Sequence, residues 1–80
     1  MNIDLTTDNE VDAKGLLCPL PILRAKKALA SIQSGHLLRV LATDPGSVRD
    51  FQAFSRQTGN ELVSQTKSDD GVWSHVLRRR

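Results

Sequence analysis

The spacing of apolar positions changes period along the chain, and each change marks an element. Val11 and Ala13 alternate with Asp12 and Lys14, which predicts a short strand over Glu10–Lys14 that Gly15 ends. From Pro19 to about Ser34 the period turns helical. Ile22, Ala25, Leu29 and Ile32 recur at spacings of three and four with Ala28 beside them, while Arg24, Lys27 and Ser31 fall opposite. Gly35 stands where a glycine would stop that helix. His36–Ala42, HLLRVLA, is apolar enough for a central strand.

A second helix opens in Thr43–Asp50. Either Asp44 caps it with Pro45 at the first helical position, or Ser47 and Asp50 form a capping box. Its buried stripe is Val48, Phe51 and Phe54, with Thr58 as an extension, and Gly59 terminates it. Two further strands, in Asn60–Ser68 and Gly71–Arg79, flank Asp69-Asp70-Gly71, whose Asp-Gly step is a hairpin signal. The order β-α-β-α-β-β predicts a two-layer α/β (α+β) sandwich, with two helices on one face of a four-stranded mixed sheet.

Eighty residues suffice for one domain, 1–80, with the first eight residues expected to be loose. Hydrophobic residues at 39% and charged residues at 25% suit a folded soluble chain. No apolar run nears the roughly 20 residues that span a bilayer, so no membrane association is expected. The acidic, polar start MNIDLTTDNE does not read as a secretory signal, which makes the cytoplasm the expected compartment. A single cysteine forms no intrachain disulfide and excludes any zinc site built on several thiolates. With only His36 and His75 to add, no metal site is expected. The formal charge is only +2, although Arg78, Arg79 and Arg80 close the chain.

That cysteine, Cys18, lies in GLLCPLPIL, between a glycine and two prolines. Pro19 disfavours helical backbone at the residue before it, which places Cys18 at the N-cap with Pro19 in the first helical position. Pro21, inside the first turn, costs no intrahelical hydrogen bond. The N–H groups of Leu20 and Ile22 are then the expected free donors beside the sulfur. A thiolate here faces the positive end of the helix dipole, and Arg24, Lys26 and Lys27 add positive potential. Leu16, Leu17 and Leu20 surround it with apolar surface. A buried packing thiol and a reactive thiol both remain open on these grounds. Nucleophilic catalysis needs a base, but at about 1.5 Å per helical residue His36 falls some 20 Å away, and sequence does not place His75. A dithiol mechanism lacks a second cysteine. A lone activated thiol suits a group carrier.

DAKGLLCPLPILRAKKAL, with VLATDPGSVRDF at the appropriate distance, resembles the TusA (SirA-like, YhhP-like) family of sulfur carriers, whose signature is a C-P-x-P element after a strand and a glycine. The resemblance runs from about Val11 to Gly59 and weakly to Val76. Many relatives have an apolar residue and a proline after the Arg-Asp pair, where this chain has Phe51-Gln52. The resemblance implies the same sandwich and a function: Cys18 accepts sulfane sulfur as a persulfide and relays it. It implies a cysteine desulfurase or rhodanese as donor and a thiol-bearing acceptor protein in tRNA thiolation, molybdenum cofactor assembly or sulfur oxidation. No cofactor is expected beyond the transient cysteine persulfide.

Asp12, Gly15, Pro19 and Pro21 are the supporting motif residues, Gly15 for the turn into the cysteine loop and Asp12 as a cap of that turn or a partner contact. Leu16, Leu17, Leu20, Arg24, Lys26 and Lys27 are candidates for partner docking. Arg49 and Asp50 read as solvated, with the positioning of a partner near the cysteine as the lesser alternative, and Phe51, Phe54 and Trp73 read as packing rather than a binding platform. A nucleic-acid-binding or regulatory module is the competing reading, since the fold resembles the C-terminal domain of translation initiation factor three and the chain ends in arginines. The low net charge and the absence of a stacking pattern beyond Trp73 disfavour it. A thiol redox sensor is the weaker alternative.

Overall fold

The computed structural model describes residues 9–80, so the expectation of a loose segment at residues 1–8 lies outside the described residues. The elements are β1 (Asn9–Ala13), α1 (Leu20–Ala30), β2 (Leu37–Ala42), α2 (Ser47–Thr58), β3 (Glu61–Lys67) and β4 (Trp73–Arg78). The sheet order is β1-β2-β4-β3, with β1 parallel to β2 and β4 antiparallel to both of its neighbours. The expected sandwich is therefore the observed one.

This topology positions the loops. β1, β2 and β3 run the same way, so α1 and α2 are both crossovers between parallel strands, which share one hand and lie on one face of the sheet. Each helix starts just beyond the carboxyl end of a strand. Because Ala13 pairs with Ala42, the two strands finish level, and the β1–α1 and β2–α2 loops leave side by side.

Alternation decides which side of each strand is buried. Leu38, Val40 and Ala42 point under the helices with Ala13 on one side and His75 and Leu77 on the other. Pro21, Ala25 and Leu29 of α1 and Ser47, Phe51 and Phe54 of α2 cover them. Three of these residues, Ala13, Ala25 and Ala42, are small, which leaves room for Phe51 at the centre. The Phe51 ring packs edge-on to Phe54, with centroids 6.2 Å apart, and stacks on His75 at 4.6 Å. Trp73 lies parallel to His75, with Lys67 5.6 Å over its ring.

Several expected boundaries shift. β1 spans Asn9–Ala13 rather than Glu10–Lys14, and β2 begins at Leu37 rather than His36. Helix α1 ends at Ala30, short of Ser34: the Ser31 N–H donates back to the Ala28 carbonyl and the Ile32 N–H to that of Leu29, and the Ser31 hydroxyl also donates to the Ala28 carbonyl. Ile32 still packs against the core, but from a bend. Gly35 is thus not the stop of α1. It turns the chain into β2 at φ +86°, donating to the Arg79 carbonyl while Arg79 donates to that of His36, which lengthens the β2–β4 ladder. Gly59 does close α2, left-handed at φ +81° and bonded to the Ser55 carbonyl. Val48 and Thr58 on its stripe are half-buried. The hairpin turns at Asp69-Asp70-Gly71 as expected, with Ser68 and Val72 paired across it. A register shift between Leu62 and Ser64 leaves Val63 exposed.

Truncating Phe51 removes a fully buried ring that packs on Phe54 and His75 between α2 and the sheet. Phe51→Ala is expected to lower the unfolding free energy by about 3–5 kcal/mol. Val63→Ala, at the exposed shift, should stay within about 0.5 kcal/mol of the parent. Urea titrations followed by circular dichroism measure both.

Candidate functional site

The two adjacent loops meet through side chains that reach from the second to the first. The Gly15 N–H donates to the Thr43 hydroxyl at 2.9 Å and the Cys18 N–H to Asp44 Oδ2 at 2.8 Å. Gly15 takes φ +81°, a left-handed conformation that glycine adopts without strain, and the chain thereby turns out of β1. Asp12 steadies the same turn by accepting the Lys14 N–H at 3.0 Å. The other oxygen of Asp44, Oδ1, accepts the Gly46 N–H at 3.0 Å. One carboxylate thus shapes its own turn and holds the backbone of the cysteine loop.

The start of α1 differs from expectation by one residue. Pro19, not Cys18, is the N-cap, the helix begins at Leu20, and the Cys18–Pro19 peptide is cis. The Leu20 N–H is not a free donor, because it bonds the Leu17 carbonyl at 2.8 Å. Pro21 is fully buried on the core side of the first turn.

Cys18 itself is exposed, and its thiol donates to Asp50 Oδ2 in the first turn of α2. Neither expected cap of α2 forms. Gly46 is the N-cap without a side-chain bond, Asp50 turns to the sulfur, and the Ser47 hydroxyl meets His75 Nε2 at 2.8 Å. The expected thiolate is corrected accordingly. The hydrogen bond to the Asp50 carboxylate, reinforced by desolvation and by the negative charges of Asp50 and Asp44, pushes the Cys18 thiol above its ordinary value. A nearby carboxylate outweighs a helix dipole and cations spread along α1, because Coulomb energy falls with distance and exposed charges are screened.

The leucines of the motif divide. Leu16 packs against the core, which removes it from the expected collar. Leu17 is 72% exposed and Leu20 44%, on either side of the cysteine, and Leu23, one turn beyond Leu20, is 54% exposed. Sequence reasoning missed Leu23 because it treated α1 as one apolar stripe. Arg24, Lys26 and Lys27 are exposed. Arg24 and Lys27 line a groove with Val11, Asp12 and Ser31 between α1 and β1, and Lys26 faces another with Phe54 and Arg79. The arginine run at the end of the chain is partly engaged: Arg78 Nε donates to Glu61 at 3.2 Å and the Arg79 guanidinium to the Ile32 carbonyl. Among the described residues, no three His, Cys, Asp or Glu side chains are placed to hold a metal ion, and no helix is long and apolar enough to cross a membrane.

His75 is not a base for the thiol. It is buried beneath α2, with Nε2 on Ser47 and Nδ1 3.1 Å from Gln65 Nε2, which in turn donates to the Val48 carbonyl at 3.0 Å. Burial lowers its pKa to about 4.

Comparison with known proteins bears on this site. The family model described as Sulfurtransferase TusA matches residues 9–79. The chain is 56% identical over 72 residues to the sulfur carrier protein TusA of Allochromatium vinosum, covering 90% of this chain and 93% of that one. It is 36% identical over 77 residues to the protein of the same name from Pseudomonas syringae pv. syringae, covering 96% and 90%. The crystal structure of the SirA-like protein from Desulfitobacterium hafniense superposes with a TM-score of 0.79 at 31% identity, over 88% of this chain and 95% of that one.

The buried imidazole makes the fold sensitive to acid. A histidine is near 6.5 when unfolded and His75 is about 4 when folded, so between these values only the unfolded chain binds the proton. The contribution is complete above pH 6.5 and declines as pH falls to 4, for a total on the order of 3 kcal/mol. Denaturant midpoints at pH 7.5 and pH 4.5 should differ clearly in the parent chain, and His75→Gln should shrink the difference.

Proposed function

Since the chain belongs to the TusA family and is a sulfur carrier, relaying sulfur between a donor and an acceptor, we propose that Cys18 is the residue that bears the sulfur, as a persulfide. The single observation that supports this most is the exposure of the Cys18 thiol on the level loops between β1 and β2 and the two helices, held from behind by Asp44. A sulfur relayed from protein to protein must be reached by two partners in turn, and an exposed thiol on a backbone fixed at both Gly15 and Cys18 meets that need. Asp12, Gly15, Pro19 and Pro21 shape the loop and take no part in the chemistry.

On loading, the Cys18 sulfur attacks the outer sulfur of a persulfide on the donor, the donor's S–S bond breaks, and the donor sulfur leaves as a thiolate that takes up a proton. Delivery is the same exchange onto an acceptor thiol, with Cys18 leaving. No electrons are gained or lost overall, so the chain needs no cofactor of its own. A cysteine desulfurase or a rhodanese is the donor class that this chemistry suits, because both hold sulfur as a cysteine persulfide. Leu17, Leu20 and Leu23 form the apolar patch on which partners dock, and Arg24, Lys26 and Lys27 extend it with positive charge for an acidic partner rim. The partial engagement of Arg78 and Arg79 within the chain weighs against the nucleic-acid reading.

Incubation with a cysteine desulfurase and cysteine should add one sulfur atom to the intact mass, removable by reductant. Cys18→Ser should fold and gain none. A Cys18→Ser protein that still acquires the sulfur would place the carrier site elsewhere.

A further inference from the structure

Asp50 is the group whose place the carrier reading leaves unexplained. It lies 32 positions from Cys18 in sequence, and its carboxylate accepts the thiol hydrogen while Asp44 holds the backbone N–H of the same residue. Both acids come from one stretch, the β2–α2 loop and the first turn of α2, and both press on Cys18 from one side. Among the described charges, these two act on the sulfur.

A carboxylate beside a thiol could serve as a base. Its hydrogen bond favours the protonated thiol and its negative charge disfavours the thiolate, so it holds the proton on the sulfur rather than drawing it off. An ordinary thiol already ionises to a few per cent in water at pH 7. Asp50 thus offers a poorer route to the thiolate than solvent does. Its charge acts on the end states instead.

We propose, on the reading that Cys18 bears the persulfide, that Asp50 sets the sulfur affinity of Cys18: it holds the unloaded cysteine as a neutral thiol and repels the loaded persulfide anion, so that the carrier binds its sulfur loosely. The exchange is Cys18–SH plus a donor persulfide anion, going to the Cys18 persulfide anion plus the donor thiol. One S–S bond breaks, one forms, and the proton of Cys18 passes through solvent to the donor sulfur. A persulfide is a stronger acid than a thiol, so the loaded side carries its negative charge on Cys18 at neutral pH. The Asp50 carboxylate stabilises the left side through its hydrogen bond and destabilises the right side through like charge. Exposure of the pair makes the effect weaken with salt.

Asp50→Asn keeps the size of the side chain and removes its charge, and Asp50→Glu keeps the charge. Two measurements test the proposal. In the first, iodoacetamide alkylation is followed against pH: the Asn variant should react several-fold faster than the parent at pH 7, with its profile displaced to lower pH, and the Glu variant should stay near the parent. In the second, each protein is equilibrated with glutathione persulfide and glutathione at a fixed ratio, and loading is read by intact mass. The ratio of loaded to unloaded protein should rise several-fold for the Asn variant, less so in 0.5 M salt. An Asn variant whose alkylation profile superimposes on the parent's, or whose loading ratio is unchanged or reduced while parent Cys18 loads normally, overturns the role of Asp50 alone. A parent protein whose Cys18 takes up no sulfur overturns the underlying carrier assignment, and with it the proposal.

Discussion

The first turn of α2 is pinned to the sheet by a buried polar contact, and the arrangement around Cys18 depends on it. Ser47 and His75 satisfy one another where neither reaches water, and Phe51, one turn on, stacks on the same imidazole. Gln65 completes the set by bonding both His75 and the Val48 carbonyl. An unpaired hydroxyl or ring nitrogen at this depth would cost about 1–3 kcal/mol, so the contact admits one placement of the turn. Asp44 and Asp50 stand on either side of Ser47. Their positions against the cysteine loop follow from that placement.

The topology explains why the second loop can reach the first. Parallel crossovers of one hand bring both helices to one face and begin both at the same edge, so residues far apart in sequence share one rim. Open α/β sheets use the carboxyl ends of their strands for chemistry for this reason. Here the rim holds a thiol, two acids and three exposed leucines, the composition of a surface that meets other proteins.

The element order, the hairpin and the stripe of Phe51 and Phe54 were legible because period and turn chemistry are local and all pointed the same way. The end of α1 was not. Ile32 fits a helical stripe and does reach the core, but from a bend after the helix has closed on Ser31, and Gly35 is claimed by a strand partner, Arg79, that no local pattern reveals. The acids at the site were hidden in the same manner. Asp44 and Asp50 both satisfy cap rules for α2, and local rules offer no reason to look further. The fold uses Asp44 for its own turn and the cysteine loop, and Asp50 for the thiol. The direction of the thiol's acidity was misread for this reason: the cations of α1 are visible as neighbours in sequence, whereas the carboxylate that outweighs them is a neighbour only in space.

Helix-start cysteines are usually discussed as activated nucleophiles, and a carrier has different requirements. A permanent thiolate on an exposed loop would react with oxidants as readily as with a sulfur donor, and would climb to sulfenic acid and beyond. Nucleophilicity also falls as a thiol becomes more acidic, so a depressed pKa makes a more abundant but weaker attacker. A neutral thiol held by a carboxylate avoids both costs while the protein is empty. Exposure leaves the sulfur and the carboxylate that holds its proton open to an approaching protein. On the proposed role of Asp50, the carrier's own residues determine how firmly the cargo is held between encounters.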